Sequence, residues 1–256
     1  MDNAALVSSI AAWIGVLVYF YLGQRLSRRP VSAEARVPAG QFTLFWIGLA
    51  AVSALGAIES LIAAYQLPSL ALVLTMLYLE ILLLCAVLWA LVGYLVFLFT
   101  GRGYLVPLSM LYATLYLLLI YFITASGPSS VGVSYGAVTI SYATPVGGPI
   151  LGVLLILLLG PEFIGAFLYF SLFFRTRDPT IRYRVTLVSW SLIAWFGLGF
   201  LNIGALLGGG LAAQVLARSF GVFAALVILM AYYPPRAIRT RFGVSSIDES
   251  SRTAAA

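Results

Sequence analysis

Histidine and lysine are absent from this chain, cysteine occurs once, and only 9% of the 256 residues are charged. Without histidine and with a single cysteine, transition-metal and haem sites lack their usual ligands, so we expect neither a metal nor a cofactor. Cys85 can form no internal disulfide and is predicted to pack as a small apolar side chain. Such a low charge content excludes an ordinary soluble domain, in which about 25% of residues are charged.

Hydrophobic residues make up 62% of the chain and fall into long stretches. A helix needs about 20 residues to cross the hydrocarbon core of a bilayer. The pattern predicts an all-α integral membrane protein in which residues 1–243 form one seven-helix bundle, followed by a disordered cytoplasmic tail over 244–256. The seven predicted spans are about Ala5–Leu22, Phe42–Ala64, Ser69–Phe99, Tyr104–Thr124, Pro149–Phe174, Arg184–Leu207 and Leu211–Tyr233.

All basic residues of the chain are arginine, and their distribution predicts its orientation. Thirteen of the 14 fall between or beyond the spans on one side, and cytoplasmic loops of membrane proteins are enriched in arginine. The N-terminus is therefore predicted outside and the C-terminus inside, in a cell membrane. The net charge of +6 indicates contact with anionic headgroups rather than with nucleic acid. These arginines are Arg25, Arg28, Arg29, Arg36, Arg102, Arg175, Arg177, Arg182, Arg184, Arg236, Arg239, Arg241 and Arg252.

The connection between spans four and five has a different pattern. Residues 131–135 and 138–142 alternate between apolar and polar around Gly136-Ala137. A glycine at the first turn position is typical of a type II′ hairpin. We therefore expect a short β-hairpin at the outer mouth of the bundle, with a plain loop as the alternative.

Four ionisable residues lie inside predicted spans, namely Glu59, Glu80, Glu162 and Arg218. Placing such a group in the membrane costs about 2.5–3.5 kcal/mol on insertion scales, so it usually faces the bundle interior and has a partner. Their depths predict a polar cluster around Arg218 in the outer half, with Glu59 and Glu80 as its partners. Asn202, Gln214 and Trp195 share helix faces or depths with it. A ligand site and a structural ion pair both remain open.

Aromatic residues near the ends of the spans are expected to form interfacial belts, as tyrosine and tryptophan commonly do in membrane proteins. This prediction covers six tyrosines: Tyr19, Tyr21, Tyr94, Tyr104, Tyr232 and Tyr233.

Seven spans with an outer N-terminus are similar to microbial rhodopsins, but the absence of lysine excludes a retinal Schiff base. A second resemblance is to the seven-helix N-terminal sensor region of membrane histidine kinases. It rests on residues 45–46 and 57–61, on the long third helix that ends at Phe99-Thr100-Gly101-Arg102, and on the Arg182-Tyr183-Arg184 entry to span six. This resemblance implies a sensory bundle. Since no kinase domain follows Pro235, the signal would pass to a separate partner.

Three functions remain open at this stage. The first is a receptor-like protein that takes a small polar or hydrophobic ligand from the outer side and signals to a cytoplasmic or membrane protein. The second is a small-solute transporter, because spans one to three and five to seven share a layout that matches two parallel three-helix repeats joined by one helix. The third is a structural subunit of a membrane complex. No catalytic arrangement is evident, so we expect no enzyme activity.

Overall fold

The computed structural model describes residues 3–28, 36–65, 68–134, 137–144, 148–204 and 210–246. These ranges contain eight helices and two strands. The helices are α1 (Asn3–Ser27), α2 (Arg36–Tyr65), α3 (Leu70–Thr100), α4 (Leu105–Ala125), α5 (Gly148–Arg175), α6 (Pro179–Gly204), α7 (Gly210–Tyr232) and α8 (Arg236–Phe242), and the strands are β1 (Pro128–Ser134) and β2 (Ala137–Tyr142).

Long apolar helices dominate the described part of the chain. Helices α1 to α5 are each long and apolar enough to cross a membrane, and the C-terminal part of α7 (Ser219–Tyr232) joined to α8 makes a sixth such segment with a bend of 58°. The chain is therefore a multi-pass helical membrane protein. Each predicted span overlaps one of the helices α1 to α7, with bounds that differ by a few residues. The end of the sixth predicted span, residues 205–207, lies outside the described residues, and α6 is not among the described segments that could cross a membrane by length and composition.

Local hydrogen bonds explain where several helices begin and end. Ser69 caps α3 by accepting from the amide of Leu72, and Gly101 ends it in the left-handed region at φ 68°, which glycine adopts without strain. Helix α6 begins at Pro179, five residues before its predicted start, because the Asp178 carboxylate accepts hydrogen bonds from the amides of Thr180 and Ile181. Charged residues thus extend a helix beyond its apolar stretch.

Six of the helices form a closed ring. Helix α1 packs against α2 and α7, α2 against α3, α3 against α5, α5 against α6, and α6 against α7. Helix α4 lies outside this ring against α3 and α5, and the side of α4 that faces away is exposed, with Met110, Leu117 and Tyr121 more than 60% accessible. The ring consists of two consecutive groups of three helices joined by a peripheral fourth.

The two strands pair antiparallel between α4 and α5 and cover one end of the ring. Val138 is buried in one cluster with Ala5, Ala63 and Val73, which belong to α1, α2 and α3. Ala137 pairs with Ser134, so it lies on β2 rather than in the expected Gly136-Ala137 turn, and residues 135–136 lie outside the described ranges. We call this the hairpin end of the bundle.

The opposite end carries the arginines and is called the arginine-rich end. Five guanidinium groups lie over aromatic rings there, at 4.1 to 5.9 Å from the ring centroids. Val244 is 5% exposed, and the amide of Ser245 donates to the hydroxyl of Thr180. The packed chain therefore continues to Ser246, three residues into the predicted tail, because α6 supplies polar partners for it. The five pairs are Arg25 with Tyr21, Arg175 with Phe99, Arg182 with Phe173, Arg184 with Tyr232, and Arg241 with Phe242.

Candidate functional site

Helices α2 and α3 pack so closely that their register can be read from a few contacts. A Cβ added to Gly48 of α2 would lie 2.5 Å from Cγ2 of Val87, and the amide nitrogen of Gln41 lies directly against Gly93 of α3. Nearer the hairpin end, Ala63 packs in one cluster with Val73. The two helices therefore run antiparallel, with position 48 opposite 87 and position 63 opposite 73.

Glu80 lies on the stripe of α3 that faces α2. Val73 and Val87 lie seven residues to either side of Glu80. Val87 contacts α2 at Gly48, and Val73 is buried in one cluster with Ala63 of α2. Residues seven apart fall on nearly the same face of a helix, since two turns take about 7.2 residues. Glu80 is half-buried and takes part in polar interactions within the bundle.

Glu59 lies on the matching stripe of α2. It is eleven residues from Gly48 and four from Ala63, and both spacings keep it on the face toward α3. The register places Glu59 opposite positions 76–77 of α3, about one helical turn from Glu80. Glu59 is also half-buried and takes part in polar interactions. We call this pair of facing positions the carboxylate seam.

Further polar contacts join α1 to α2 beside Glu59. The hydroxyl of Ser9 donates to the carbonyl of Ala57 at 2.9 Å, and the hydroxyls of Ser8 and Ser60 lie 3.4 Å apart. Ser9 and Ser60 are both buried. The half of the bundle toward the hairpin end is therefore polar at the α1–α2 interface as well as at the carboxylate seam.

Four of the predicted site residues lie on helices whose side chains there are outside the described part. Glu162 is on α5, Asn202 on α6, and Gln214 and Arg218 on α7. Helix α7 packs against α1 and α6. The pairing of Arg218 with Glu59 and Glu80 therefore stays a prediction.

Trp195, the seventh predicted site residue, belongs to a buried group of rings that the sequence did not indicate. Its Nε1 donates a hydrogen bond of 2.7 Å to the hydroxyl of Tyr19, and the Tyr19 ring stacks on Trp46 at 6.1 Å between centroids. Tyr232 reaches the same group from α7, 6.3 Å from Trp46. We call this group the aromatic core; its members are Tyr19, Phe42, Phe45, Trp46, Tyr94, Trp195 and Tyr232.

The interfacial prediction is wrong for Tyr19 and Tyr232, which are 1% and 5% exposed. Tyr94 is half-buried and stacks on Phe42 at 4.7 Å. Tyr21 and Tyr104 are exposed by 37% and 45%. The difference has a physical cause: a phenol near a helix end can satisfy its hydroxyl at the interface or inside the bundle, and Tyr19 has an indole partner inside.

Polar groups continue from the aromatic core toward the arginine-rich end. Tyr94 and Tyr169 share a side-chain hydrogen bond between α3 and α5. The guanidinium of Arg184 lies over the ring of Tyr232 and donates to the carbonyl of Ser245 at 3.0 Å. Arg184 therefore connects the aromatic core to the segment that follows α8. Sequence reasoning missed Tyr169 and Arg184 as interior groups, because each lies among apolar or loop residues of ordinary appearance.

Two buried nitrogen donors of α2 also lie at the aromatic core. Nε2 of Gln41 and Nε1 of Trp46 are enclosed and have no hydrogen-bond partner within the part of the chain that the structure describes. Leaving such a donor unsatisfied costs about 1–3 kcal/mol. Helix α2 therefore carries Glu59 toward one end, and the buried nitrogen donors of Gln41 and Trp46 toward the other.

Among the described residues, no three histidine, cysteine, aspartate or glutamate side chains come close enough to hold a metal ion. Comparisons with family models, with curated proteins and with solved structures find no match to this chain.

Proposed function

We propose that this protein is a receptor-like seven-helix membrane protein of the cell membrane, with its N-terminus outside and its C-terminus inside. In this proposal the hairpin end faces outward and the carboxylate seam receives the ligand. The observation that carries the proposal is that Glu59 and Glu80 lie on facing stripes of α2 and α3, one turn apart, in a pair of predominantly apolar helices. An acidic side chain inside a membrane span is energetically costly, and acids at such positions commonly mark functional sites.

The chemistry of the seam favours a small ligand with an ammonium group or several hydrogen-bond donors. Two carboxyl groups within one turn repel each other when both are ionised, so a cationic ligand would stabilise the ionised pair. With Arg218 nearby, as predicted, the site would also accept a ligand that carries both charges. To act as a signal, the ligand must bind more tightly to one helix arrangement than to another.

The packing suggests how a displacement at the seam would travel. Helix α2 carries Glu59 near one end and the rings of Phe42, Phe45 and Trp46 nearer the other. The aromatic core joins α2 to α1 and α6 through Tyr19 and Trp195, and α6 carries Arg184, which holds Ser245. A shift of α2 would therefore change the arginine-rich end, where a signalling partner would bind.

The proposal is tested with the purified chain in lipid nanodiscs, by titrating primary-amine and quaternary-ammonium compounds and following tryptophan fluorescence. We expect at least one compound to bind, and we expect Glu59→Gln and Glu80→Gln to weaken binding by about tenfold each, the loss of one charge-assisted contact. Arg28→Gln, an exposed residue at the opposite end, serves as the control and should bind like wild type. If Glu59→Gln, Glu80→Gln and Arg218→Ala all respond like wild type, the seam is not a ligand site.

A transporter is the second candidate, and the helix arrangement favours it. The ring of α1–α3 and α5–α7 with α4 outside matches two three-helix units joined by a linker helix. Uptake of the same compounds into proteoliposomes separates the two functions. A receptor binds the compound without moving it, whereas a transporter accumulates it with a rate that saturates.

A further inference from the structure

The chain folds back on itself after α7 and forms a hollow at the arginine-rich end. Pro234 and Pro235 end α7, and α8 leaves at 58° to it. An open hollow of about 390 Å³ lies between α8 and the residues that follow it. Its lining consists of Arg236, Arg239, Thr240, Gly243, Val244 and Ser245.

The far wall of this hollow is fixed to α6. The amide of Ser245 donates to the hydroxyl of Thr180 at 3.1 Å, and Arg184 donates to the carbonyl of Ser245 at 3.0 Å. Val244 between these anchors and α8 is buried. The shape of the hollow is therefore set by tertiary contacts and not by α8 alone.

The lining has the chemistry of a phosphate site. Arg236 and Arg239 are three residues apart on α8 and so lie on one face. Thr240 lies beside them, with its hydroxyl donating to the carbonyls of Arg236 and Ala237. The described lining contains two guanidinium groups and no carboxylate. The carboxylate of Asp178, which lies near Thr180 in sequence, is engaged in capping α6. Guanidinium groups match the oxygen geometry of phosphates and bind them through paired hydrogen bonds.

The position of the hollow selects a lipid as the source of that phosphate. Helix α8 follows directly on an apolar helix, and its last residue, Phe242, is 56% exposed with Arg241 over its ring. A short helix that follows an apolar one and carries several arginines and an exposed phenyl group is suited to the headgroup region of a bilayer. We infer that this hollow binds the phosphate headgroup of an anionic phospholipid, and that the bound lipid holds α8 and the 243–246 segment against α6.

The test compares retained lipid in matched variants of the full chain. The protein is reconstituted into nanodiscs of phosphatidylcholine with a minority of phosphatidylglycerol, extracted gently, and analysed by native mass spectrometry. Arg236→Gln combined with Arg239→Gln removes the two lining charges. Arg177→Gln combined with Arg102→Gln is the control, because it removes the same charge from exposed arginines outside the hollow.

We expect wild type and the control to retain one phosphatidylglycerol in preference to phosphatidylcholine. The lining variant should lose that preference by about thirtyfold, since two arginines at about 1 kcal/mol each contribute about 2 kcal/mol of attraction to an anionic headgroup. Equal losses in the lining variant and the control would show that only overall charge matters and would overturn the site. Unfolding temperatures in the two lipids, measured on the same samples, show that each variant is folded.

Two further arms exclude other occupants. Inorganic phosphate added to phosphatidylcholine nanodiscs should not raise the unfolding temperature as phosphatidylglycerol does; an equal rise would assign the hollow to free phosphate. Asp248→Asn combined with Glu249→Gln removes the acids of the following segment. If this variant prefers phosphatidylglycerol as strongly as wild type does, the result supports a lipid in the hollow. If wild type shows no preference and the variant does, the hollow is occupied in wild type by the chain's own acidic segment.

Discussion

The indole of Trp195 and the hydroxyl of Tyr19 form a hydrogen bond of 2.7 Å that joins α6 to α1 across 176 residues of sequence. The Tyr19 ring also stacks on Trp46 of α2. Three helices thus meet at one buried phenol. In an apolar environment a hydrogen bond of this kind adds geometric specificity that interchangeable apolar contacts do not supply.

Removing the Tyr19 hydroxyl should destabilise the protein by about 1–2 kcal/mol, because Tyr19→Phe leaves the Trp195 donor buried without its acceptor. Trp195→Phe should cost more, since it also removes ring contacts. A double-mutant cycle from unfolding in mixed micelles isolates the bond, for which we expect a coupling of about 1 kcal/mol. Trp190→Phe is the control, since Trp190 on the same helix is 55% exposed. A coupling near zero would contradict this role.

Adding a methyl group at the α2–α3 contact should separate these helices. Gly93→Ala would force its Cβ into the Gln41 amide, and Gly48→Ala would force its Cβ into Val87, so we expect losses of about 1–3 kcal/mol each. Gly40→Ala on α2 meets nothing within 4 Å and should be neutral or stabilising.

Shortening Gln41, the side chain opposite Gly93, tests whether the loss of stability in Gly93→Ala comes from this contact. Gln41→Ala combined with Gly93→Ala should recover much of the stability that Gly93→Ala loses, because the overlapping amide is gone. If Gly93→Ala unfolds at the same temperature as Gly40→Ala, the register of the carboxylate seam is incorrect.

Labelling of single cysteines tests the orientation. Cys85 is buried, so Cys85→Ala provides a background without reactive thiols. On this background Ser129→Cys in β1 should react with a membrane-impermeant maleimide in intact cells. Ser27→Cys at the end of α1 should react only after permeabilisation. The reverse pattern would invert the bundle, and labelling of both in intact cells would mean that the number of spans between them is even.

Alkaline pH should loosen the hairpin end. Burial first, and then the nearby phenol of Tyr78, raise the pKa of Tyr142 on β2 above its ordinary value of 10.0. The docked hairpin therefore favours the neutral phenol. Its contribution to stability is complete below the ordinary pKa and is lost as the pH rises through the raised one. The pH titration of phenolate absorbance is measured for wild type and for Tyr142→Phe, and the difference between the two should show a group that titrates above pH 10.0. A difference that titrates at or below pH 10.0 would contradict the burial of Tyr142.

The helices could be located from the sequence because a membrane span has a required length and apolar content. The sequence does not show which face of each helix points to the core and which to the lipid, since side chains on both faces are equally apolar. Trp190 and Trp195 look alike in sequence, yet one is 55% and the other 8% exposed. Helix α8 was also missed, because Pro234-Pro235 ends the apolar stretch and seven residues with three arginines show no span.

The carboxylates were the exception among interior residues. For Glu59 and Glu80 the sequence predicts an interior position, since an acid facing acyl chains would be too costly, and both side chains are half-buried. The same energetic reasoning could not identify Tyr19, because a phenol is tolerated at the interface as well as inside. Sequence therefore locates interior groups only where exposure to lipid carries a clear penalty.

The ring of helices can close only late in biosynthesis. Helix α7, which contacts α1, is the last of the six ring helices to be made. At roughly 5–20 residues per second, the ribosome needs about 10–35 s to go from Tyr19 to Trp195. During that interval the newly inserted α1 can pair with α2 through Ser9. The hydroxyl of Tyr19 lacks its hydrogen-bond donor until Trp195 has been translated and α6 has been inserted.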